Sequence, residues 1–244
     1  DDLWRLWRNE ANPALGNPAI PTWSPRLFID VTGPSGLDTD LGLGEAHQPV
    51  FVDLNRDGWL DLHVAVDFGL DRLYINQQNG TFVNVATAIG LNGSPPDNRN
   101  EMGIAYGDPD FDGDQDIHLT NTKSLDRFYR NDSVGGMLSF VDPALATGLN
   151  NSGFGWGTVF FDADLDGDQD HAGVSGHLFP VSGNYNYHNR LHINEYPATI
   201  GGGANLLWSD ASTLVPQFSK TDTIDGDSAR SLAALDFDND GDLD

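Results

Sequence analysis

Short runs of four to six apolar residues alternate with turn-forming residues along most of the chain. The runs are rich in Val, Ile, Phe and Tyr, which favour strands, whereas Gly, Pro, Asn and Asp lie between them. Apart from the segment Leu3 to Trp7, no stretch keeps apolar residues at helical spacing for three turns. The pattern therefore predicts an all-β protein of many short strands.

A nine-residue Asp-rich segment with the pattern D-x-[DN]-x-D-G-x-x-D is repeated four times without gaps. The copies begin 55, 54 and 74 residues apart and occupy 53–61, 108–116, 162–170 and 236–244. An apolar run precedes each copy, and three more strand-length runs follow each of the first three. Four short strands in a unit of about 50 residues are typical of a β-propeller blade.

This spacing divides the chain into an N-terminal extension, 1–26, and propeller repeats, 27–244. The repeats comprise an outer strand at 27–32, blade 1 at 46–85, blade 2 at 102–143, blade 3 with a long insertion at 155–222, and the start of a truncated blade 4 at 231–244. The strand at 27–32 stands alone before the first complete unit, so we expect it to close the ring by completing the last blade. We expect the fourth strand of blade 3 at 217–220.

The chemistry of the four segments points to calcium, which takes six to eight hard oxygen ligands in a flexible geometry. Residues at positions 1, 3 and 5 turn their oxygens inward, and the Gly at position 6 permits the sharp turn. Position 7 supplies a backbone carbonyl, which leaves its side chain free, and position 9 supplies the closing carboxylate. About four Ca²⁺ sites are therefore predicted. Their ligands are Asp53, Asn55, Asp57, Trp59 and Asp61; Asp108, Asp110, Asp112, Asp114 and Asp116; Asp162, Asp164, Asp166, Asp168 and Asp170; and Asp236, Asp238, Asp240, Asp242 and Asp244.

An EF-hand is excluded, because it needs a helix on each side of the loop and a Glu at position 12. Here position 12 is Val64, Leu119 or Gly173, and the flanks are β-like. Magnesium is disfavoured because it prefers strict octahedral geometry and retained waters. In the first loop, Asn55 replaces an acid and Arg56 adds a positive charge, so we expect the weakest calcium binding there.

Charge and composition limit the possible partners. The formal net charge is −25, from 37 acidic and 12 basic residues, and the four loops contain 18 of the acids. Such a balance argues against nucleic acid and against an anionic membrane surface. No apolar run approaches the ~18 residues of a membrane-spanning helix, so no membrane insertion is expected. The chain has no cysteine, which excludes disulfides and thiolate metal sites.

The Asp-rich loops, with runs such as Leu73–Asn76 and Asn79–Phe82, resemble the FG-GAP/VCBS repeats of integrin α-chain propellers. With Ser175–Pro180 and Asp238–Asp244, the chain is most similar to the secreted cartilage acidic protein/ASPIC–UnbV family, over roughly residues 27–244. The resemblance implies a seven-bladed β-propeller, often followed by an ASPIC/UnbV domain that this sequence lacks. Three complete units and a fraction cannot close such a ring, so we expect the sequence to be part of a longer chain.

No sequence motif for catalysis is present, and we expect a non-catalytic adhesion or scaffold module that binds an extracellular protein or glycan. Sites with the affinity of extracellular calcium modules, ~10⁻⁴–10⁻³ M, would fill only outside the cytosol, which favours a secreted, periplasmic or cell-surface location. Two alternatives remain, the propeller part of a polysaccharide-active enzyme and a subunit of a surface layer or filament. Candidate positions for partner binding lie in the long third unit and include His177, Tyr185, Tyr187, His188, His192 and Trp208. His63 and His118 either line a channel, support a metal-binding residue or form part of a polar strand face.

Overall fold

The computed structural model describes residues 5–11, 26–37, 44–91, 100–122, 125–150, 153–176, 189–195, 206, 208–215, 229–236, 238 and 240–241. Within these ranges the chain is almost entirely β-structure, with one short helix, α1 (Ala144–Thr147), and a 3₁₀ turn at Ser212–Leu214. The prediction of an all-β protein is confirmed. None of the helices in these ranges is long and apolar enough to cross a membrane.

The strands form one two-stranded sheet followed by three four-stranded antiparallel sheets. The two-stranded sheet consists of β1 (Trp7–Ala11) and β2 (Arg26–Asp30). Sheet 1 consists of β3 (Glu45–Val52), β4 (Asp61–Asp67), β5 (Arg72–Asn76) and β6 (Phe82–Asn84). Sheet 2 consists of β7 (Glu101–Gly107), β8 (Asp116–Asn121), β9 (Arg127–Asn131) and β10 (Phe140–Val141). Sheet 3 consists of β11 (Gly155–Phe161), β12 (Asp170–Ser175), β13 (Arg190–Asn194) and β14 (Trp208–Asp210). In each four-stranded sheet the strands pair in chain order, as the repeat predicts.

The strand expected to stand alone at 27–32 has a partner. It begins at Arg26 and pairs with β1, which lies in the segment interpreted from the sequence as an extension. Trp7 faces Asp30 in the same register in which Tyr74 faces Asn84 in sheet 1. The β1–β2 pair therefore corresponds to the third and fourth strands of a unit.

The fourth strand of sheet 3 also differs from the expectation. It is β14, whereas the predicted strand at 217–220 lies outside the described residues. The sequence at Trp208–Asp210 has Trp and Ser where the other fourth strands have Phe and Val, and it follows a longer insertion. Because of this insertion, the sequence repeat did not identify Trp208–Asp210 as a fourth strand. In the structure, Asp210 occupies the position of Asn84 in sheet 1 and of Asp142 in sheet 2.

The sheets stand side by side with their first strands, β3, β7 and β11, in contact. The side-chain amide of Gln48 accepts a hydrogen bond from Ile104 N at 2.9 Å and donates one to Ile104 O at 3.1 Å, which joins β3 to β7. Apolar residues fill the spaces between sheets: Leu73, Ile117 and Leu119 lie between sheets 1 and 2, and Phe128 and Phe160 between sheets 2 and 3. The second strands, β4, β8 and β12, are buried along their whole length. Packing between units thus supplies the core.

Every first strand contains a β-bulge at the same place. Its pairing with the second strand shifts between Ala46 and Pro49, between Glu101 and Ile104, and between Gly155 and Thr158. A bulge redirects the side chains next to it and bends the strand. The shifts therefore place 47–48, 102–103 and 156–157 in equivalent positions on neighbouring sheets.

Replacing Gly103 with Ala should destabilise the fold, because a Cβ atom there would lie 2.0 Å from Trp156 O in β11. Overpacking costs typically about 1–3 kcal/mol, and we expect the upper part of this range because backbone is the obstacle. Urea denaturation of G103A measures the loss. Gly135→Asn serves as the control, since Gly135 has φ +62°, which Asn tolerates, and has open space around a Cβ. Equal stability of the two variants would contradict close packing of β7 on β11.

Candidate metal sites between first and second strands

The described Asp-rich loops share one backbone conformation. Loop 1 joins β3 to β4, loop 2 joins β7 to β8, loop 3 joins β11 to β12, and loop 4 follows residues 229–235. Positions 4 of loops 1 to 3, Arg56, Phe111 and Leu165, have φ between 57° and 61°. The position-6 glycines have φ between 87° and 101°, a region that other residues rarely adopt. In all four loops this glycine amide donates a hydrogen bond of 2.9–3.2 Å to Oδ2 of the Asp at position 1.

Three of the loops gather carboxylates closely enough to hold an ion. In each of these triads, one oxygen from every carboxylate lies within 4.8 Å of the others, and the triads are Asp108–Asp110–Asp112, Asp162–Asp164–Asp166 and Asp236–Asp238–Asp240. Loop 1 has no such triad because Asn55 occupies position 3 and donates a hydrogen bond to Asp57 Oδ2 at 3.1 Å. Asp242 and Asp244 lie outside the described residues.

The closing Asp at position 9 is fully buried in each of the three complete loops. Its Oδ1 accepts the backbone N–H of the last residue in the third strand at 2.7–2.9 Å. In loops 1 and 3, Oδ2 accepts the N–H of position 2, from Leu54 or Ala163. Loop 2 has Pro109 at position 2, which has no N–H, and Oδ2 of Asp116 is buried without a donor. Burial first, and then the charges of Asp110 and the other loop carboxylates, raise the pKa of Asp116 to about 9.

The asparagine that ends each third strand supports the loop in a way that was not predicted. The side-chain amides of Asn76, Asn131 and Asn194 donate to the carbonyl of position 8, at 3.0, 3.2 and 3.3 Å respectively. Each asparagine therefore holds two consecutive loop residues, one through its backbone and one through its side chain. The signal was present in the sequence, because an Arg begins and an Asn ends every third run.

The side chain at position 7 is free in only one of the three complete loops. Trp59 is exposed, as expected, but Asp114 and Asp168 are 5% and 1% exposed. Asp114 forms an ion pair with Arg56 of loop 1. Both oxygens of Asp168 are buried without a hydrogen-bond donor. Burial first, and then the charges of Asp166, Asp170 and Asp164, raise the pKa of Asp168 to about 7.

This donor set fits a hard divalent cation. The loops present only carboxylate, amide and carbonyl oxygens, without the nitrogen or sulfur atoms that softer metals select. Acidic groups at a surface are common without an ion, so the triads alone do not decide the question. The oxygens of Asp116 and Asp168 add a second observation, because a buried carboxylate oxygen without a protein donor carries a desolvation cost that a bound cation would offset.

Four of the described histidines, His63, His118, His171 and His192, are buried in the core, so His63 and His118 line no channel in this part of the chain. His63 and His118 are fully buried, and His63 Nδ1 lies 2.6 Å from the Tyr106 hydroxyl. His171, which the sequence did not single out, connects His118 and His192 through N···N distances of 3.2 Å. Burial lowers the pKa of His118 to about 3 and that of His192 to about 4, so both imidazoles are uncharged at neutral pH. His177, Tyr185, Tyr187 and His188 lie outside the described residues.

A pocket of about 500 Å³ opens where the bulges of the three first strands meet residues 230–232. Trp156 forms its wall, with the Arg230 guanidinium 5.1 Å from the indole centroid and the His47 ring 5.9 Å away. Gln48 and Thr158 add polar groups, and no acidic side chain is among the described residues that line the pocket. In a chain with 37 acidic residues, this pocket is suited to a neutral or anionic ligand.

The loop geometry and the four-stranded units agree with the comparison to known families. Residues 53–119 match the model of the FG-GAP-like repeat, from the start of loop 1 to the middle of β8. The chain contains an FG-GAP-like repeat. This supports an FG-GAP repeat protein, and the narrower ASPIC–UnbV assignment stays a prediction. Comparison with curated proteins gave no match.

The metal-free protein should lose stability as the pH rises from 7 to 9. The pKa of Asp116 is about 9 in the folded chain, above the ordinary value of 3.8. Between these two pKa values the folded chain holds one proton more than the unfolded chain. The free energy of unfolding therefore falls as the pH rises from about 4 to 9, by at most about 1.4 kcal/mol per pH unit. The histidines stay uncharged in this window. Urea denaturation in EGTA measures the slope.

Asp116→Asn provides the control, because an amide keeps the Oδ1 acceptor and does not titrate. The variant should have a flatter profile between pH 7 and 9 than the wild type. Identical profiles would show that Asp116 is ionised in the folded, metal-free chain.

Proposed function

We propose that this chain is the calcium-binding β-propeller part of a secreted protein and serves as a non-catalytic binding or scaffold module. One observation carries the proposal: buried carboxylate oxygens without a protein partner lie in loops that recur at one place in FG-GAP-like units. The loops connect first to second strands, where a bound ion would fix the strand ends. A structural role follows from that position.

Calcium is the cation that the loops fit best. In each loop, the side chains of positions 1, 3, 5 and 9 and the carbonyl of position 7 would hold the ion. Two carboxylates at ~4 Å repel by about 4 kcal/mol at an effective dielectric near 20, so a five-Asp loop is costly without a counter-ion. FG-GAP repeats often bind Ca²⁺, and usually occur in extracellular proteins. Affinities of ~10⁻⁴–10⁻³ M would suit millimolar external calcium.

The arrangement of the sheets supports a propeller. Three antiparallel sheets of four strands each follow one another along the chain and touch through their first strands. Residues 231–232 lie against Gly157 of β11, where the first strand of the next unit belongs. The β1–β2 pair has the register of the outer half of a unit. We infer that these are consecutive blades of a ring, of which the family resemblance implies seven.

The bulge-lined pocket is where we expect a partner to bind. The cation–π contact holds Arg230 over Trp156, and no carboxylate of the described residues lies in ion-pair distance of Arg230. A guanidinium held in this way is ready to bind a carboxylate with two hydrogen bonds. Among protein and glycan partners, a glycan that contains an acidic sugar fits this chemistry.

Calcium removal should lower the melting temperature reversibly. At 2 mM Ca²⁺ and a Kd of ~10⁻⁴ M, each occupied site contributes about 1.8 kcal/mol, which for several sites shifts Tm by roughly 10 °C or more. Differential scanning calorimetry in EGTA, and after Ca²⁺ is restored, measures the shift. Asp166→Ala should reduce the calcium-dependent part of Tm more than Asn55→Ala, because loop 1 has no carboxylate triad. An identical Tm with and without EGTA would refute a structural role for calcium.

Binding through the pocket should depend on Arg230. A glycan array probed with the calcium-loaded chain should retain it on uronic-acid glycans more than on neutral ones of the same length. R230Q should weaken this binding by tenfold or more, because charge-assisted bidentate contacts are among the strongest at an interface, about 1.5–3 kcal/mol. R127Q removes an equal charge from the Arg127–Asp142 ion pair outside the pocket and should leave binding unchanged. If R230Q binds uronic-acid glycans as tightly as the wild type, the pocket is not their binding site.

A further inference from the structure

We propose that Arg56 is a tethered cation that partly neutralises loop 2 and thereby makes loop 2 bind calcium more weakly than loop 3. The inference rests on the proposed calcium binding and adds an order of affinity among the loops. It assigns Arg56 of loop 1, which belongs to the weakest candidate site, a role in its neighbour. Asp114 and Asp168, the position-7 residues of loops 2 and 3, carry the argument.

Arg56 reaches from loop 1 into loop 2. Its Nη2 lies 2.6 Å from Oδ1 of Asp114, and its Nη1 donates to the carbonyl of Gly113 at 3.3 Å. The Asp114 side chain is 6% exposed, whereas that of Arg56 is 57% exposed. The guanidinium therefore approaches a buried carboxylate from the solvent side. It also donates a hydrogen bond to the backbone carbonyl of Gly113 in the same loop.

Loop 3 has the same carboxylate without the cation. Asp168 occupies the position of Asp114 and is equally buried, but both of its oxygens lack a donor. The position equivalent to Arg56 is Phe111 of loop 2, which has the same left-handed φ of 57° and no charge. The two neighbouring loops thus form an internal comparison of one carboxylate with and without a fixed positive charge.

A second arginine lies near loop 2, but its ion pair is with Asp132 and not with Asp114. This residue, Arg130 in β9, donates hydrogen bonds of 2.6 and 2.8 Å to Asp132. Arg130 also interacts electrostatically with Asp110 and Asp116 of loop 2, more weakly than with Asp132. At the equivalent place sheet 3 has Ile193. Among the three complete loops, loop 3 most needs a divalent ion, because it has five aspartates and no ion pair with an arginine of the described residues.

The fixed charge has two effects of opposite sign. It repels an incoming Ca²⁺, which lowers the calcium affinity of loop 2. It also relieves the repulsion among the loop carboxylates, which stabilises loop 2 when calcium is absent. Removing the charge should therefore raise calcium affinity and lower metal-free stability. A residue with only a packing role would lower both.

The test is a Ca²⁺ titration of the ¹⁵N-labelled 244-residue chain. The amides of Gly113 and Gly167, each bonded to the first Asp of its loop, report loops 2 and 3 separately. Arg56→Gln should tighten binding at Gly113 by about two- to tenfold, as expected for a partly exposed ion pair, and leave Gly167 unchanged. It should also lower Tm in EGTA. Arg56→Lys should retain most of the wild-type behaviour.

The converse variant places the cation where loop 3 lacks it. Phe111→Arg should weaken binding at Gly167 by a similar factor and raise Tm in EGTA. Phe111 is 38% exposed, so the substitution does not disturb the core. Arg127→Gln again provides the matched control. Arg127 begins β9, whereas Asn131, which is hydrogen-bonded to loop 2, ends it about 13 Å away.

The outcomes separate this inference from the proposed function. If neither glycine responds to Ca²⁺ in the wild type, the proposed calcium binding fails. If both respond but the Arg56 and Phe111 variants leave the affinities unchanged, only the inference is overturned. A loss of both affinity and metal-free stability in R56Q would also overturn it, because that result indicates a structural role. Tighter binding at Gly113 together with a lower metal-free Tm would establish it.

Discussion

The closing aspartate of each of the three complete loops is the residue on which its unit depends. Asp61, Asp116 and Asp170 are fully buried, and each joins the start of a second strand to the end of a third strand through Oδ1. A carboxylate in this position is stable only if donors or a cation compensate for its lost hydration. Backbone N–H groups provide part of this compensation, and they do so least in loop 2, where Pro109 has no N–H to give.

The repulsion that remains within each loop explains how the loops differ. Loop 1 replaces one acid with Asn55, and hydrogen bonds outweigh desolvation to lower the pKa of Asp57. Loop 2 borrows a positive charge from its neighbour through Arg56. Loop 3 has neither device, and its Asp168 is left without a donor. The three loops therefore share one backbone conformation but differ in how their negative charge is compensated, and loop 3 has the least compensation from the protein itself.

Features that repeat within a unit could be predicted from the sequence, and features that arise between units could not. The four-strand order and the loop positions follow from periodicity, which each unit expresses independently. The burial of Asp114 and Asp168, the reach of Arg56 and the contacts of His171 depend on how neighbouring sheets pack, which no single repeat encodes. The strand at Trp208–Asp210 was missed for a related reason, because the insertion before it changed the spacing. The partner of β2 was missed although Arg5–Asn9 reads RLWRN, close to the third strand RFYRN.

The first strands separate the loops from the pocket by a constant distance. Gln48, Gly103 and Gly157 in the bulges each precede the first aspartate of their loop by five residues, which is about 16 Å along a strand. An ion held in a loop therefore cannot touch a ligand in the pocket. It would instead fix the end of the strand whose bulge lines that pocket, in each sheet whose loop holds an ion. Calcium would then affect ligand binding in the pocket only by fixing the positions of the first strands. The loops would support the pocket from the far end of the same strands.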